Sequence, residues 1–120
     1  NAGVGNCHNG GDPAVLYQTI TEQFHSLPDD VIVYPGHDYL ENNLRFTLDL
    51  EASNGMAAQW LEKAVIADPA NSPLLTTIGD EHQFNTFFRL KNPEIRTTLG
   101  LPDSSEKDIF LALRARRNSW

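Results

Sequence analysis

The sequence predicts a mainly α protein with one or two short strands. Apolar residues recur at helical spacing in four separate stretches. Helix-start residues stand just ahead of several of them. Only one run, Val31-Ile32-Val33-Tyr34, has the β-branched and aromatic character of a strand. A lone strand is not stable. Either it is marginal, or its sheet partners lie outside this sequence.

Residues 1–11 are loop-like, with Gly3, Gly5, Gly10 and Gly11. Asp12-Pro13 then reads as an N-cap followed by proline at the first helical position. Leu16, Ile20, Phe24 and Leu27 form one stripe of this helix, which Pro28 ends. The strand Val31–Tyr34 is expected to be buried. A Pro35-Gly36 turn follows, and then His37. Asp38 and Glu41 have capping-box spacing, and Leu40, Leu44 and Leu48 give the next helix its stripe. A third helix starts near Asn54-Gly55, turns Met56, Trp60 and Ala64 to one face, and ends before Asp68-Pro69. Thr77 and Asp80 again have capping-box spacing, which predicts a short helix over about 79–85. Residues 92–104 are broken by Pro93, Gly100 and Pro102. A last helix is capped by Ser104 or Ser105 and points Ile109, Phe110 and Leu113 inward. There is no repeat or low-complexity segment.

Composition narrows the function. The chain has 120 residues, 40% hydrophobic and 21% charged, enough for one domain with a modest core. A net charge of -7 argues against nucleic acid as partner, since phosphate contacts need clustered Lys and Arg. No apolar run approaches the ~20 residues that span a bilayer, so no membrane partner is expected. The first residues carry no basic-then-apolar pattern of a secretory signal. Cys7 is the one cysteine, so no internal disulfide can form, and a cytoplasmic setting is the simpler expectation. The basic cluster Arg114, Arg116 and Arg117 either complements a helix C-terminus or binds an anion.

Four histidines, His8, His25, His37 and His82, are too scattered for a complete zinc site. His25 and His82 read as surface residues. Cys7 beside His8 lacks a third orienting group for nucleophilic catalysis. Spacing alone leaves His37 as either structural or a ligand. Its place between a strand end and a helix start favours the ligand, because α/β proteins bind ligands there.

The run Val31-Ile-Val-Tyr-Pro-Gly-His37-Asp-Tyr39, followed by Asn42-Asn43-Leu44-Arg45-Phe46, resembles the glyoxalase II (hydroxyacylglutathione hydrolase) pattern V-Y-x-G-H-[ED]-Y-x-x-x-N-L-x-F. Thr77-Ile78-Gly79-Asp80-Glu81 and Asn85-Thr86-Phe87-Phe88-Arg89 resemble that family's S-T-L-x-x-E and N-P-F-x-R blocks. Leu113 to Arg117 resembles its terminal arginine-bearing helix. The resemblance covers nearly the whole chain. It implies the C-terminal portion of an αββα metallo-β-lactamase sandwich plus the helical C-terminal domain of the glyoxalase II type. On that basis residues 1–52 form the sandwich edge and residues 53–120 the helical region. As an isolated chain they can pack as one compact unit.

The resemblance also implies a chemistry for the full-length protein. Two divalent metal ions, zinc, iron or manganese, activate a water that attacks the thioester of an acylated glutathione. His37 is the last histidine ligand of that set. The H-x-H-x-D-H motif and the G-D-T-L-F segment, which supply most other ligands, are absent here. Tyr39, Asn6, His8 and Arg117 are the candidate substrate contacts. Asn6, however, replaces a basic residue of the family loop, and Trp120 stands where the family has lysine. Losing one charged contact weakens binding by ~1.5–3 kcal/mol, so the thiol carrier need not be glutathione. The expected function is that of a C-terminal fragment of a binuclear thioester hydrolase, inactive and without tightly bound metal when alone. A sulfur dioxygenase-like protein of the same fold and a non-catalytic binding domain are the alternatives. A severed sandwich also exposes apolar surface, and a homodimer of the fragment is one way to cover it.

Overall fold

Residues 2–4, 11–34, 39–67 and 74–120 are described by the computed structural model. Asp12 caps α1 (Pro13–Thr19), its carboxylate accepting the Ala14 amide hydrogen at 2.9 Å. Pro13 fills the first helical position, where its missing N–H costs nothing. The helix then widens into a π-turn, Ile20–Phe24, in which the His25 amide reaches back to the Ile20 carbonyl. One extra residue adds about 100° of rotation. Phe24 therefore leaves the stripe of Leu16 and Ile20 and is 42% exposed, where the spacing predicts it inside.

The strand is shorter than its sequence pattern and is not buried. β1 (Ile32–Val33) pairs antiparallel with β2 (Thr76–Thr77), Ile32 opposite Thr77 and Val33 opposite Thr76. Ile32 is 49% exposed and Tyr34 74% exposed. One two-residue partner cannot cover both faces of a strand, so the sequence pattern of a buried strand is not satisfied by these neighbours. The pairing is extended by two further backbone bonds of 2.9 Å, from the Ile78 amide to the Val31 carbonyl and from the Gly79 amide to the Asp29 carbonyl.

The remaining helices follow their punctuation. α2 (Leu40–Leu50) buries Leu40 and Leu44 as its stripe predicts, and Phe46, Thr47 and Leu50 as well. Tyr39 is its N-cap and makes no side-chain cap bond; Asp38, expected to cap it, lies outside the described residues. The Asn54 side chain caps α3 (Gly55–Ile66) by accepting the Ala57 amide hydrogen. Ala57, Trp60, Leu61 and Ala64 face inward, and Met56, predicted among them, stays exposed. Thr77 and Asp80 form the expected capping box of α4 (Ile78–Phe84). A 3-10 turn, Thr86–Phe88, follows.

α5 (Pro93–Leu99) occupies the stretch expected to be broken. Pro93 starts it rather than interrupting it, and Asn92 accepts the Glu94 and Ile95 amide hydrogens. Gly100, at φ 73°, ends it in the left-handed region, with the Leu101 amide returning to the Arg96 carbonyl. Ser105, not Ser104, caps α6 (Glu106–Asn118).

Two apolar clusters meet along α2. Phe46 and Leu50 belong to one, with Phe87, Leu90, Ile95, Ile109, Phe110 and Leu113. Leu40 and Leu44 belong to the other, with Ala2, Ala57 and Phe84. Thr47, between them, donates its hydroxyl to the Phe84 carbonyl at 2.8 Å. No helix among the described residues is long and apolar enough to cross a membrane.

Candidate functional site

His37, Asn6 and His8 lie outside the described residues. Tyr39 and Arg117 lie within them. Tyr39 stands at the head of α2 and is 55% exposed. It borders a cavity of about 360 Å³ between the start of α2 and the end of α3, with Ala64, Val65 and Leu74. Its carbonyl accepts the Asn43 amide hydrogen at 2.9 Å. Arg117 approaches the same turn of α2 from α6. Its Nε donates to Asn43 Oδ1 at 3.2 Å, and its guanidinium lies 5.9 Å from the Phe46 ring and 5.5 Å from the Trp120 ring. Aromatic faces and an amide oxygen thus hold the cation in place.

Asn43 also touches the N-terminal segment. A Cβ added to Gly3 would lie 2.9 Å from Asn43 Cγ, closer than real contacts allow. The segment leading to Asn6 and His8, the turn of α2 after Tyr39, and Arg117 therefore converge on Asn43. Tyr39 and Arg117 share this neighbourhood.

The other two arginines of the basic cluster have separate tasks. Arg116 pairs with Asp49 at 2.9 Å on the surface, worth at most about 1 kcal/mol. Arg114 is buried, with Nη1 donating to the Val4 carbonyl at 3.1 Å and Nε to Asn118 Oδ1 at 3.2 Å. Neither of the two roles expected for the cluster describes Arg114, which ties α6 to the N-terminal segment.

Three consecutive residues of that segment are held in this way. The Ala2 amide donates to both Glu81 carboxylate oxygens, at 3.0 and 2.9 Å. Asn85 Nδ2 donates to the Gly3 carbonyl at 3.1 Å, and Arg114 takes the Val4 carbonyl. Ala2 is fully buried and has φ 54°, a conformation that costs a residue with a Cβ roughly 1–2 kcal/mol. Glu81 and Asn85 were visible only as members of resembling blocks. Their partners lie 79 and 82 residues away, beyond any local pattern.

Burial pushes the Glu81 carboxyl up from 4.5 to about 7, against the pull of the N-terminal amino group, the Ala2 amide and the Asn85 side chain; nearby Asp80 adds to the rise. The folded chain then keeps a proton on Glu81 to about pH 7, while the unfolded chain releases it near 4.5. Between those values the folded state binds more protons, so stability falls as pH rises. The span corresponds to on the order of 3 kcal/mol. Glu81→Gln removes the titration. Urea unfolding should show the variant gaining on the wild type by that order from pH 4.5 to pH 8; a constant difference would contradict the assignment.

A second cleft, of about 570 Å³, is lined by Tyr17, His25, His82, Phe88, Lys91 and others. His25 and His82 are packed edge to face at 4.6 Å, and His82 Nε2 lies 3.0 Å from the His25 carbonyl. His82 is half-buried, contrary to its expected surface position. The cleft shares no lining residue with the Asn43 junction. Among the described residues no group of three His, Cys, Asp or Glu side chains could hold a metal ion.

The profile of the family described as hydroxyacylglutathione hydrolase C-terminus matches residues 38–120. Over its whole length the chain is 50% identical to a hydroxyacylglutathione hydrolase from Polaromonas sp. strain JS666, covering 48% of that protein. It is 48% identical to one from Nitrosococcus oceani, again over the whole chain and 48% of the relative. With one from Anaeromyxobacter dehalogenans it shares 35% identity over 98% of the chain and 48% of the relative. The chain thus spans about half the length of the curated relatives it matches.

Proposed function

The chain belongs to the hydroxyacylglutathione hydrolase family, as its C-terminal part, and from that membership we propose that the whole protein hydrolyses thioesters of glutathione or a glutathione-like thiol. In this reading residues 1–52 complete a metal-bearing sandwich and residues 53–120 close the substrate side. The setting is cytoplasmic. Two divalent ions, zinc, iron or manganese, supply an activated water and polarise the carbonyl when bound. Of this chain's residues, His37 is the one that would ligate. The family resemblance assigns the other ligands to H-x-H-x-D-H and G-D-T-L-F segments, which this sequence does not contain.

Tyr39, Asn6, His8 and Arg117 are assigned to the thiol carrier. One observation supports the assignment above the others: Gly3, which precedes Asn6 and His8 in the sequence, the Tyr39 backbone and Arg117 all meet at Asn43. Arg117, with Nε on Asn43 and its face on two rings, is oriented before any ligand arrives, which lowers the entropic cost of binding. Tyr39, at the mouth of the α2–α3 cavity, offers a phenol from the same helix end.

The test is a thiol-release assay on the full-length protein, comparing S-acylglutathione with S-acyl coenzyme A. Free thiol should appear with the glutathione ester. The isolated 120-residue chain should release none and should retain fewer than two metal ions after gel filtration. Retention of a metal pair by this chain, or oxygen consumption in place of thiol release, would overturn the reading.

A further inference from the structure

We propose that Glu81 is a positioning residue for the substrate loop, fixing the point from which the chain departs toward Asn6 and His8. This rests on the functional reading above. The argument starts from the cost of the arrangement. A buried carboxylate is not needed to hold a helical core together, since apolar packing of the same volume does so as well or better. Ala2, moreover, is placed in a left-handed conformation that alanine avoids. Such strain persists only where the surroundings over-determine it.

The surroundings here do so. Both Glu81 oxygens receive the Ala2 amide, Asn85 holds the next carbonyl, and Arg114 the one after. Glu81, Asn85 and Arg114 are all buried and come from α4, from the turn after it and from α6. Gly3 is pressed on Asn43, which itself carries Arg117. One of the groups against this segment, Asn43, therefore also seats Arg117. Glu81 grips the first of the three residues with both of its oxygens, and Asn85, which holds the second, also bonds to the Glu81 side chain. The perturbed acidity of Glu81 agrees with a carboxyl that the segment covers.

The consequence is specific. Loosening the grip should weaken the hold on the thiol carrier and leave the chemical step alone. In the full-length enzyme, Glu81→Ala should raise KM for S-acylglutathione about tenfold at unchanged kcat and metal content. Glu81→Gln, which retains an acceptor for the Ala2 amide, should stay within about threefold of the wild type. Amide hydrogen exchange at Ala2, Gly3 and Val4 should accelerate in Glu81→Ala and much less in Glu81→Gln. If Glu81→Ala does not fold, Asn85→Ala takes its place and should raise KM in the same manner. Unchanged KM in a folded variant overturns the proposal. So does a fall in kcat and metal content together at constant KM, which would put Glu81 on the metal side. If the wild type releases no thiol from any thioester, the functional reading and the substrate role fall together. The exchange rates then still report whether Glu81 holds the segment.

Discussion

In the full-length protein, His37→Ala is expected to lower metal content and thioester hydrolysis together, the rate by at least about a hundredfold. Changing a group that merely orients a metal ligand costs 10–100-fold in affinity or activity, and a ligand itself should cost no less. The elements on either side motivate the position. β1 ends at Val33 and α2 begins at Leu40, and His37 falls in the sequence between these two elements. The upstream element is bonded to β2 and the start of α4, and the downstream element is buried through Leu40 and Leu44. Metal analysis alongside the assay decides the matter. Wild-type activity at full metal occupancy would show that His37 is not a ligand.

The largest stability effect is expected at Glu51. This buried residue follows α2 directly. Its carboxylate accepts from Arg89 Nε at 3.1 Å and from Arg89 Nη2, from Asn92 Nδ2 at 2.9 Å and from Asn54 Nδ2 at 3.1 Å. The two asparagines use their oxygens to cap α5 and α3. Glu51 therefore keeps both amides turned the right way round, and it neutralises a half-buried guanidinium. Glu51→Ala removes the counter-charge of the Arg89 guanidinium and the Glu51 acceptor of Asn92, while Asn54 Nδ2 keeps the Gln83 carbonyl at 2.8 Å and Arg89 Nη1 the His82 carbonyl at 3.2 Å; the loss costs about 3–5 kcal/mol. Against a total stability of about 5–15 kcal/mol, that is enough to threaten the fold. Glu41→Ala is the control. Its partner Arg45 lies one turn along α2 on the surface at 2.9 Å, and such a pair contributes about 0.3–0.5 kcal/mol. Urea unfolding of the two variants should separate them by several kcal/mol; equal losses would mean that the Glu51 network contributes no more than a surface pair.

Helix starts were the most legible feature of this sequence. Asp12, Asn54, Thr77 and Ser105 each cap where the local pattern says, because capping is settled within four residues. Phase was less legible. The π-turn after Thr19 moved Phe24 outward, and no residue type announces such a turn. α5 was hidden by its own punctuation, since proline and glycine mark helix ends and helix breaks alike. At the candidate site, Tyr39 and Arg117 could be named from motif positions. Asn43, Glu81 and Arg114 act across 74 to 110 residues of chain, and nothing local signals a partner that far away. His37, Asn6 and His8 were named from the same motifs and lie outside the described residues.

The β1–β2 pairing has a consequence for tolerance. Val31 and Asp29 are bonded to the first residues of α4, and two residues further on the same helix carries Glu81 and its grip on Ala2. The strand that leads to His37 and the segment that leads to Asn6 are thus indexed to a single two-turn helix. Displacement of α4 is therefore expected to disturb both together, while Arg114 and Asn43 hold the N-terminal segment from other helices.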